Sequence, residues 1–512
     1  LMYWSALIVL VFGVVISLSV LLHRQWAEKE RIRYPVAELA GSLLMVEQRG
    51  QTTVVHQRLF WLGFLSILLV RTTTGLRLWF PESIEIPLQF DFSALRNRFP
   101  EFMATPGADS LAIVRLFPAC IGFAYLLASE ISFSVGIVNI ISVCITYLLI
   151  VGGVDLSGGV MTGNAVDWVG FGSFLAMGGM LIYVGRRYYW QTFKGAIGLA
   201  RHVETYSDSV QALRIFGFCV VGAVVLLVAA GLDWPLAIFA VVTTLLVFVV
   251  IARLNAECGT FFFAPGWMMP GVAVGLLGST TLGPKMLIIL GLVTYVFTID
   301  PFECLMPYIA NGLKIAGETS LPVGRVGLVL GLTLLLVLAV TIPTAVWADY
   351  NWPAEMERGW DSSALYNAAE RIASELTLSG RVEMVRHYTA LERLRHMKPD
   401  RRFLVAAGIG FGAMVLFAVL RLRFSWWPLH PVLVLAFGAG LLYKFCASFF
   451  LGWLAKITVM RLGGARRYNQ YRPFMIGIIV GDLTGSFLIM LGSWLYFLAT
   501  GVQSPATSWL PW

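Results

Sequence analysis

Residues 255–271 read NAECGTFFFAPGWMMPG, an apolar stretch that proline and glycine interrupt repeatedly. It follows a long apolar run that ends near Leu254. A second apolar run starts at Pro284 and closes on the sequence DPFE, residues 300–303. Proline removes a backbone donor and glycine loosens a helix, so this stretch cannot form an ordinary continuous span. It predicts either an interrupted transport pathway or two loops that join ordinary spans.

The composition is that of a membrane protein. Of the 512 residues, 58% are hydrophobic and 13% are charged, whereas soluble domains carry about 25% charged residues. Apolar runs long enough to cross a bilayer recur along most of the chain, and the runs 111–128 and 429–450 read as two of these spans. We therefore predict an all-α, polytopic membrane helix bundle with roughly twelve spans. The stretch 255–282 is expected to form a re-entrant, broken-helix segment that enters and leaves on one side.

The net charge of +8 does not indicate nucleic-acid binding. Lys and Arg concentrate in the segments 23–58, 185–214, 348–402 and 456–472. Because basic loops of membrane proteins face the cytoplasm, we expect these four segments on the cytoplasmic side. The lipid bilayer is then the main partner, and no nucleic acid is expected.

Polar content divides the chain into three regions. Residues 1–347 are predicted to form an N-terminal membrane region, and residues 403–512 a C-terminal membrane region. Residues 348–402 are polar, with a helical pattern and balanced charges. They predict a short cytoplasmic helical hairpin, too small for a catalytic domain. The chain begins at Leu1 inside an apolar run, as expected of a fragment that lacks its first spans.

The sequence carries no motif for a cofactor, a metal or a phosphate group. The six cysteines form no CxxC pair, the six histidines have no HExxH spacing, and neither a P-loop nor a GxGxxG motif occurs. We therefore expect no enzyme activity, no cofactor, no metal and no ATP-driven pumping by this chain alone.

Asp482 is the most specific intramembrane charge in the sequence. It lies in the apolar run 480–486, between glycines that allow helices to approach closely. A carboxylate at this depth must be paired, protonated or lined by water, because burying it unpaired is expensive. Two interpretations stay open: Asp482 binds a substrate or coupling ion, or it forms a salt bridge to a neighbouring helix, with Lys444 or Arg115 as partner.

Five further residues complete the predicted substrate- or ion-binding set. Glu257, Asp300 and Glu303 lie at the breaks of the interrupted stretch, where carboxylates are typical of transport sites. Glu130 lies at the turn between two apolar runs, which also suits an acid at the membrane surface. Lys444 lies within an apolar run, where it either attracts an anionic substrate or forms an interior ion pair.

Several separated motifs resemble an uncharacterised bacterial family of multi-pass membrane proteins. They are RQW at 24–26, ERIRYP at 30–35, EISFS at 130–134, LRFSWWPLHP at 422–431, RLGG at 461–464, YRPF at 471–474 and GD at 481–482. That family is itself similar to the oligopeptide transporter superfamily, through Tyr34-Pro35 and through Arg467-Tyr468-Asn469 ahead of Asp482. The resemblance implies transport of peptides or metal chelates, inverted repeats, and a place in the inner membrane of a bacterium.

Together these features favour a secondary transporter for a small peptide, a chelate or another polar solute, coupled to protons or to another ion such as sodium. The alternative is a non-catalytic structural subunit of a larger membrane complex. A cavity lined by Glu257, Asp300, Glu303 or Asp482 would favour transport. A wide apolar face covered by other chains would favour the structural role, and a homo-oligomer suits either.

Overall fold

The computed structural model describes residues 2–44, 54–80, 82–84, 86–158, 161–199, 207–260, 263–298, 304–319, 321–351 and 360–502. Within these ranges the chain is mostly helical, apart from one antiparallel pair of strands, β1 (Gln89–Asp91) and β2 (Ile113–Arg115). Nine helices of the described part are long and apolar enough to cross a membrane. The predicted all-α membrane helix bundle is confirmed at that level. The number of spans and the inverted repeats stay predictions.

The nine long helices come from the long apolar runs. They are α1 (Met2–His23), α3 (Arg58–Trp79), α8 (Ser129–Val151), α9 (Ala165–Ala196), α10 (Ser207–Ala229), α11 (Trp234–Cys258), α16 (Val323–Asn351), α20 (Arg401–Arg423) and α23 (Cys446–Thr500). A π-helical turn at Arg24–Lys29 extends α1, and the backbone of α23 leaves helical geometry at Gly464. The predicted loop at 456–472 is therefore part of α23, kinked at this glycine.

Shorter helices fill the space between the long ones. They are α2 (Pro35–Leu43), α4 (Leu95–Arg98), α5 (Pro100–Met103), α6 (Asp109–Ala112), α7 (Pro118–Leu126), α12 (Met269–Leu277), α13 (Ser279–Leu282), α14 (Pro284–Phe297), α15 (Leu305–Glu318), α17 (Trp360–Leu378), α18 (Val382–Arg386), α19 (Ala390–Arg395), α21 (Val432–Leu435) and α22 (Gly440–Tyr443). One 3₁₀ turn, Val54–His56, precedes α3.

The chain folds into two compact units, each built from two separate stretches. Unit 1 contains Leu1–Ala37 and Leu156–Val415, and unit 2 contains Glu38–Asp155 and Leu416–Trp512. The three regions expected from the sequence, 1–347, 348–402 and 403–512, stay a prediction.

Helix α11 defines the two ends of unit 1. It begins after Asp233, with Pro235 in its first turn, where a missing N–H does no harm. It ends at Cys258, because Gly259 takes a left-handed conformation with φ of 63°. With 25 residues at about 1.5 Å each, α11 separates two ends of unit 1. We call the end at which α11 begins the Asp233 end, and the end at which it finishes the Arg24 end. Tyr34 N–H donates to the carbonyl of Ala256 at the Arg24 end.

The interrupted segment 255–282 crosses unit 1 from one end to the other. Residues 263–268 are not helical, as the prolines predict, and α12 starts only at Met269. Arg393 pairs with Asp233 at 2.8 Å and also donates to the backbone carbonyls at 281–282. Residues 281–282 therefore lie at the Asp233 end, whereas the segment starts at the Arg24 end. The predicted re-entrant excursion at 255–282 is wrong, because α12 completes the crossing instead of returning.

Two of the four basic segments lie at opposite ends of unit 1. The hydroxyl of Tyr188 donates to the carbonyl of Leu21, near the end of α1, which places the segment 185–214 at the Arg24 end. Arg393, in the segment 348–402, lies at the Asp233 end. The expectation that both segments share one face is wrong. The rule is a bias in the distribution of Lys and Arg, and here the contacts of Arg393 with Asp233 and with the carbonyls at 281–282 decide the end at which the segment lies.

In unit 2, an excursion replaces the span predicted at 429–450. Arg421 pairs with Glu130 at the start of α8, and the hydroxyl of Tyr443 donates to Ser142, twelve positions further along the same helix. From there α23 returns, and Lys456 donates to the carbonyl of Leu127. We call residues 424–445 the excursion. These residues descend about 18 Å along α8, and the first turns of α23 come back to the end where the descent began.

The run 111–128 also departs from a continuous span. It forms α6, strand β2 and then α7, which has only nine residues. At about 1.5 Å per residue, α7 covers roughly half of a bilayer core. Its first residue therefore lies inside unit 2 and not at its surface.

Candidate functional site

Asp482 joins three helices in the interior of unit 2. One carboxylate oxygen lies 2.5 Å from Arg71 Nε of α3, and the other accepts a hydrogen bond of 2.8 Å from the backbone N–H of Ala119 in α7. The side chains of Arg71 and Asp482 are 8% and 6% exposed. This is a buried ion pair, which requires good geometry and further hydrogen bonds to offset the loss of hydration.

The position of α7 explains the second hydrogen bond of Asp482. The first N–H groups of a helix have no acceptor within it. Phe117 N–H donates to Ser448 Oγ at 2.9 Å, and Ala119 N–H donates to Asp482. At the other end, the ammonium of Lys456 donates to the carbonyl of Leu127. Opposite charges thus stabilise both ends of the short helix, in the sense that the helix dipole favours.

The structure shows Asp482 in a salt bridge to a neighbouring helix, which is one of its two predicted roles. The partner is Arg71, and neither Lys444 nor Arg115 pairs with the carboxylate. Arg71 is absent from the predicted set, although a guanidinium within an apolar helix is itself a signal that a partner must be near. A role for Asp482 in binding a substrate or ion stays a prediction.

Close packing between α3 and α23 surrounds this pair. Gly477, Gly481 and Gly485 recur every fourth residue on the face of α23 that meets α3. A Cβ at Gly481 would lie 2.5 Å from the carbonyl oxygen of Phe64, so the backbones touch. Small residues at this spacing let membrane helices approach closely, which also excludes water from the pair.

Glu257 lies at the Arg24 end of unit 1. Arg253 binds Glu257 at 3.0 Å and Glu30 at 2.5 Å, so one guanidinium joins two carboxylates. All three side chains are largely buried.

Beside this group, an asparagine pair lies where α11 ends. Asn311 Nδ2 of α15 donates to Asn255 Oδ1 at 2.6 Å, and Asn255 Nδ2 donates to the carbonyl of Thr260 at 3.1 Å. Asn311 Oδ1 and Thr260 Oγ1 are buried and make no hydrogen bond within the described part of the chain. These two oxygens stand where the interrupted crossing begins, and the sequence reasoning passed over them because neither residue is charged.

A second interruption follows along the chain. Helix α14 ends at Phe297 and α15 begins at Leu305, with 14 residues in each. The start of α14 lies at the Asp233 end of unit 1, because Pro284 directly follows the carbonyls that Arg393 binds. The finish of α15 lies at the Arg24 end, because Gly317 lies against His23. Each helix alone is about 21 Å long, too short for a bilayer core of about 30 Å. Their inner ends therefore meet within unit 1.

The predicted acids do not gather into one site among the described residues. Asp482, Glu257 and Glu130 each pair with a different arginine. Glu130 is about one-third exposed, at the end of α8. Lys444 is half-buried at the end of the excursion, and it interacts electrostatically with Arg115.

Asp300 and Glu303 lie outside the described residues. In the part of the chain that the structure describes, no group of three or more His, Cys, Asp or Glu side chains is arranged to hold a metal ion.

Comparison with protein families gives one match. The family described as "Family of unknown function (DUF6785)" covers residues 1–503 of the chain. The chain belongs to this family. No curated protein and no solved structure matches the sequence. DUF6785 membership agrees with the expected uncharacterised family, and the link from it to oligopeptide transporters stays a prediction.

Proposed function

We propose that this DUF6785 protein is a secondary transporter for a small polar solute, and that its pathway uses the two interrupted crossings of unit 1. The asparagine pair and the neighbouring Thr260 are the observation that carries the proposal. Asn311 Oδ1 and Thr260 Oγ1 are buried, and no described group satisfies them. Leaving such a group unsatisfied costs about 1–3 kcal/mol, so a bundle that served only as a scaffold would gain by replacing it.

The broken helices support the same function. Where a crossing consists of two half-helices, their inner ends expose carbonyls and N–H groups that a dehydrated solute or ion can bind. A cavity of about 340 Å³ lies at this level, lined in part by Phe297 and Leu305 at the facing ends of α14 and α15. Asn311 lies six residues further along α15, about 9 Å away. The cavity suits the apolar part of a peptide or chelate, and the asparagine pair suits its polar part.

We also propose which ion drives the solute and which end of unit 1 faces the cytoplasm. Protons or sodium ions would drive the solute, and no catalytic step is involved. The Arg24 end of unit 1 would face the cytoplasm, because segments 24–33 and 186–194 are basic. The membrane would be the inner membrane of a bacterium, as the sequence motifs suggest.

A structural subunit is the second candidate, and α16 favours it. Only 6% of the most apolar 18-residue stretch of this helix is buried inside the protein. Such a surface suits contact with another chain as well as contact with lipid. This function leaves the asparagine pair without a role, so we place transport first.

Cysteine accessibility separates the two functions without knowledge of the solute. In a chain whose six natural cysteines are replaced, Thr260→Cys puts a thiol at the start of the interrupted crossing, and Val250→Cys puts one in the packed interior of α11. A membrane-impermeant thiol reagent is then added to one side of proteoliposomes at a time. A transporter that alternates between two openings exposes position 260 to both sides in turn, and leaves position 250 unlabelled from either. Absence of labelling at 260 from both sides, in a folded protein, would exclude transport through unit 1.

A further inference from the structure

A second buried polar cluster lies in unit 2, at the tip of the excursion. The hydroxyl of Tyr443 donates to Ser142 Oγ at 2.7 Å and accepts from the N–H of Gly438 at 2.7 Å. Gly107 covers this point with φ of +88°, a conformation that other residues rarely adopt. A Cβ there would lie 3.0 Å from the ring of Tyr443 and 3.4 Å from Asn139 Oδ1. The turn at Gly107 therefore closes over both side chains.

Two side chains of this cluster are buried without a hydrogen-bond partner in the described part of the chain. Asn139 is 1% exposed, and neither its Oδ1 nor its Nδ2 makes a hydrogen bond within the described residues. Thr105 precedes Gly107 in the same turn, is 4% exposed, and its hydroxyl is equally unsatisfied there. Buried amides and hydroxyls are almost always hydrogen-bonded, so these two indicate a partner from outside the chain, either a ligand or ordered water.

The surroundings of Asn139 are electropositive. The thiol of Cys446, the first residue of α23, reaches the backbone of Asn139, so Asn139 lies beside the N-terminus of a long helix. The N-terminus of α7 is also near, because Phe117 packs on Phe445 with ring centroids 4.8 Å apart. Helix N-termini carry free N–H groups and a partial positive charge. Lys444 and Arg115 interact with each other in the same region and add two positive charges.

Two described carboxylates of this region already have cationic partners. Asp482, which faces α7, binds Arg71 and Ala119 N–H, and Asp109, two positions after Gly107, pairs with Arg96. Donors at helix N-termini together with nearby Lys and Arg are the usual surroundings of a bound anion.

We infer that unit 2 binds a small monovalent anion between the tip of the excursion and the N-termini of α7 and α23. Asn139 Nδ2 and the Thr105 hydroxyl donate hydrogen bonds to it, and Lys444 and Arg115 supply the charge. The same chemistry fits a halide ion or the carboxylate of a solute.

Anion-dependent stability tests the site with defined probes. The melting temperature of the purified full chain is measured in sodium gluconate, with chloride, bromide or acetate replacing gluconate at constant sodium. We expect a saturable rise with the small anions. Lys444→Gln and Asn139→Leu should each weaken the apparent affinity about tenfold or more. The matched controls Lys285→Gln and Asn97→Leu, at exposed positions, should respond like the unchanged protein.

A measurement on the unchanged protein covers the case in which those variants fail to fold. Chloride bound to the protein broadens the ³⁵Cl NMR line, and acetate should narrow it again by competition if carboxylates share the site. Broadening that acetate does not relieve assigns the site to halide ions alone. Absence of both the broadening and the stabilisation would overturn the inference. Labelling at position 260 together with no anion effect would overturn this site alone, whereas anion binding without that labelling would overturn transport alone.

Discussion

At the scale of single residues, Arg71 and Asp482 form a buried ion pair in the interior of unit 2. Its partners are 411 positions apart in the chain. The sequence shows that a carboxylate stands in an apolar helix and needs a partner, but several cations satisfy that requirement equally. Only the folded arrangement of α3 against α23 selects Arg71, which is why the partner was not predicted.

Removal of one member should reveal how much this pair stabilises the fold. Asp482→Asn removes the charge of the buried carboxylate that binds Arg71, so we expect the free energy of unfolding to fall by about 3–5 kcal/mol. Glu130→Gln is the matched control, because its partner Arg421 is partly exposed and solvent screens the interaction to about 0–1 kcal/mol. Unfolding in detergent measures both. If both changes lower the free energy of unfolding by the same small amount, the buried pair does not stabilise the fold. A role of Asp482 in ion coupling would then be favoured.

At the scale of elements, sequence reasoning located the breaks but not the direction of the chain after them. Proline and glycine at 264–271 predict an interruption, and the structure has one. Whether the chain then turns back or crosses depends on contacts such as that of Arg393 with the carbonyls at 281–282, more than a hundred positions away. For the run 429–450, the sequence predicted a continuous span that the structure does not have. Its hydrophobicity matches a span, while hydrogen bonds to α8 draw it into an excursion.

The glycine face of α23 offers a test of element packing in which two similar changes have opposite signs. Gly481→Ala places a methyl group against the backbone of Phe64 and should destabilise the protein by about 1–3 kcal/mol. Gly492→Ala meets its nearest neighbour, the ring of Trp79, at an ordinary 3.6 Å. It should be neutral or stabilise by up to about 1 kcal/mol, since alanine favours helix more than glycine does. Thermal unfolding compares the two, and destabilisation by both changes would contradict close α3–α23 contact.

At the scale of the whole molecule, the sequence is sufficient for the class of protein and insufficient for its organisation. Hydrophobic runs identify the long helices almost individually, because a bilayer requires about 20 apolar residues for each crossing. The two units are interleaved along the chain, and nothing local in the sequence marks residues 37 or 415 as their limits. The polar pair of Asn255 and Asn311 was missed for a related reason, since its members come from helices separated by 56 positions.

The most direct test of the account is the side of the membrane on which three serines of unit 1 lie. Ser207→Cys reports the Arg24 end, whereas Ser279→Cys and Ser379→Cys report the end of the interrupted crossing and the segment 348–402. Each is introduced singly into the chain without natural cysteines, and an impermeant thiol reagent is applied to sealed, oriented vesicles. We expect positions 279 and 379 to react on one side of the membrane and position 207 to react on the other. If position 279 reacts on the same side as position 207, then residues 255–282 do not cross unit 1, and the interrupted pathway does not exist.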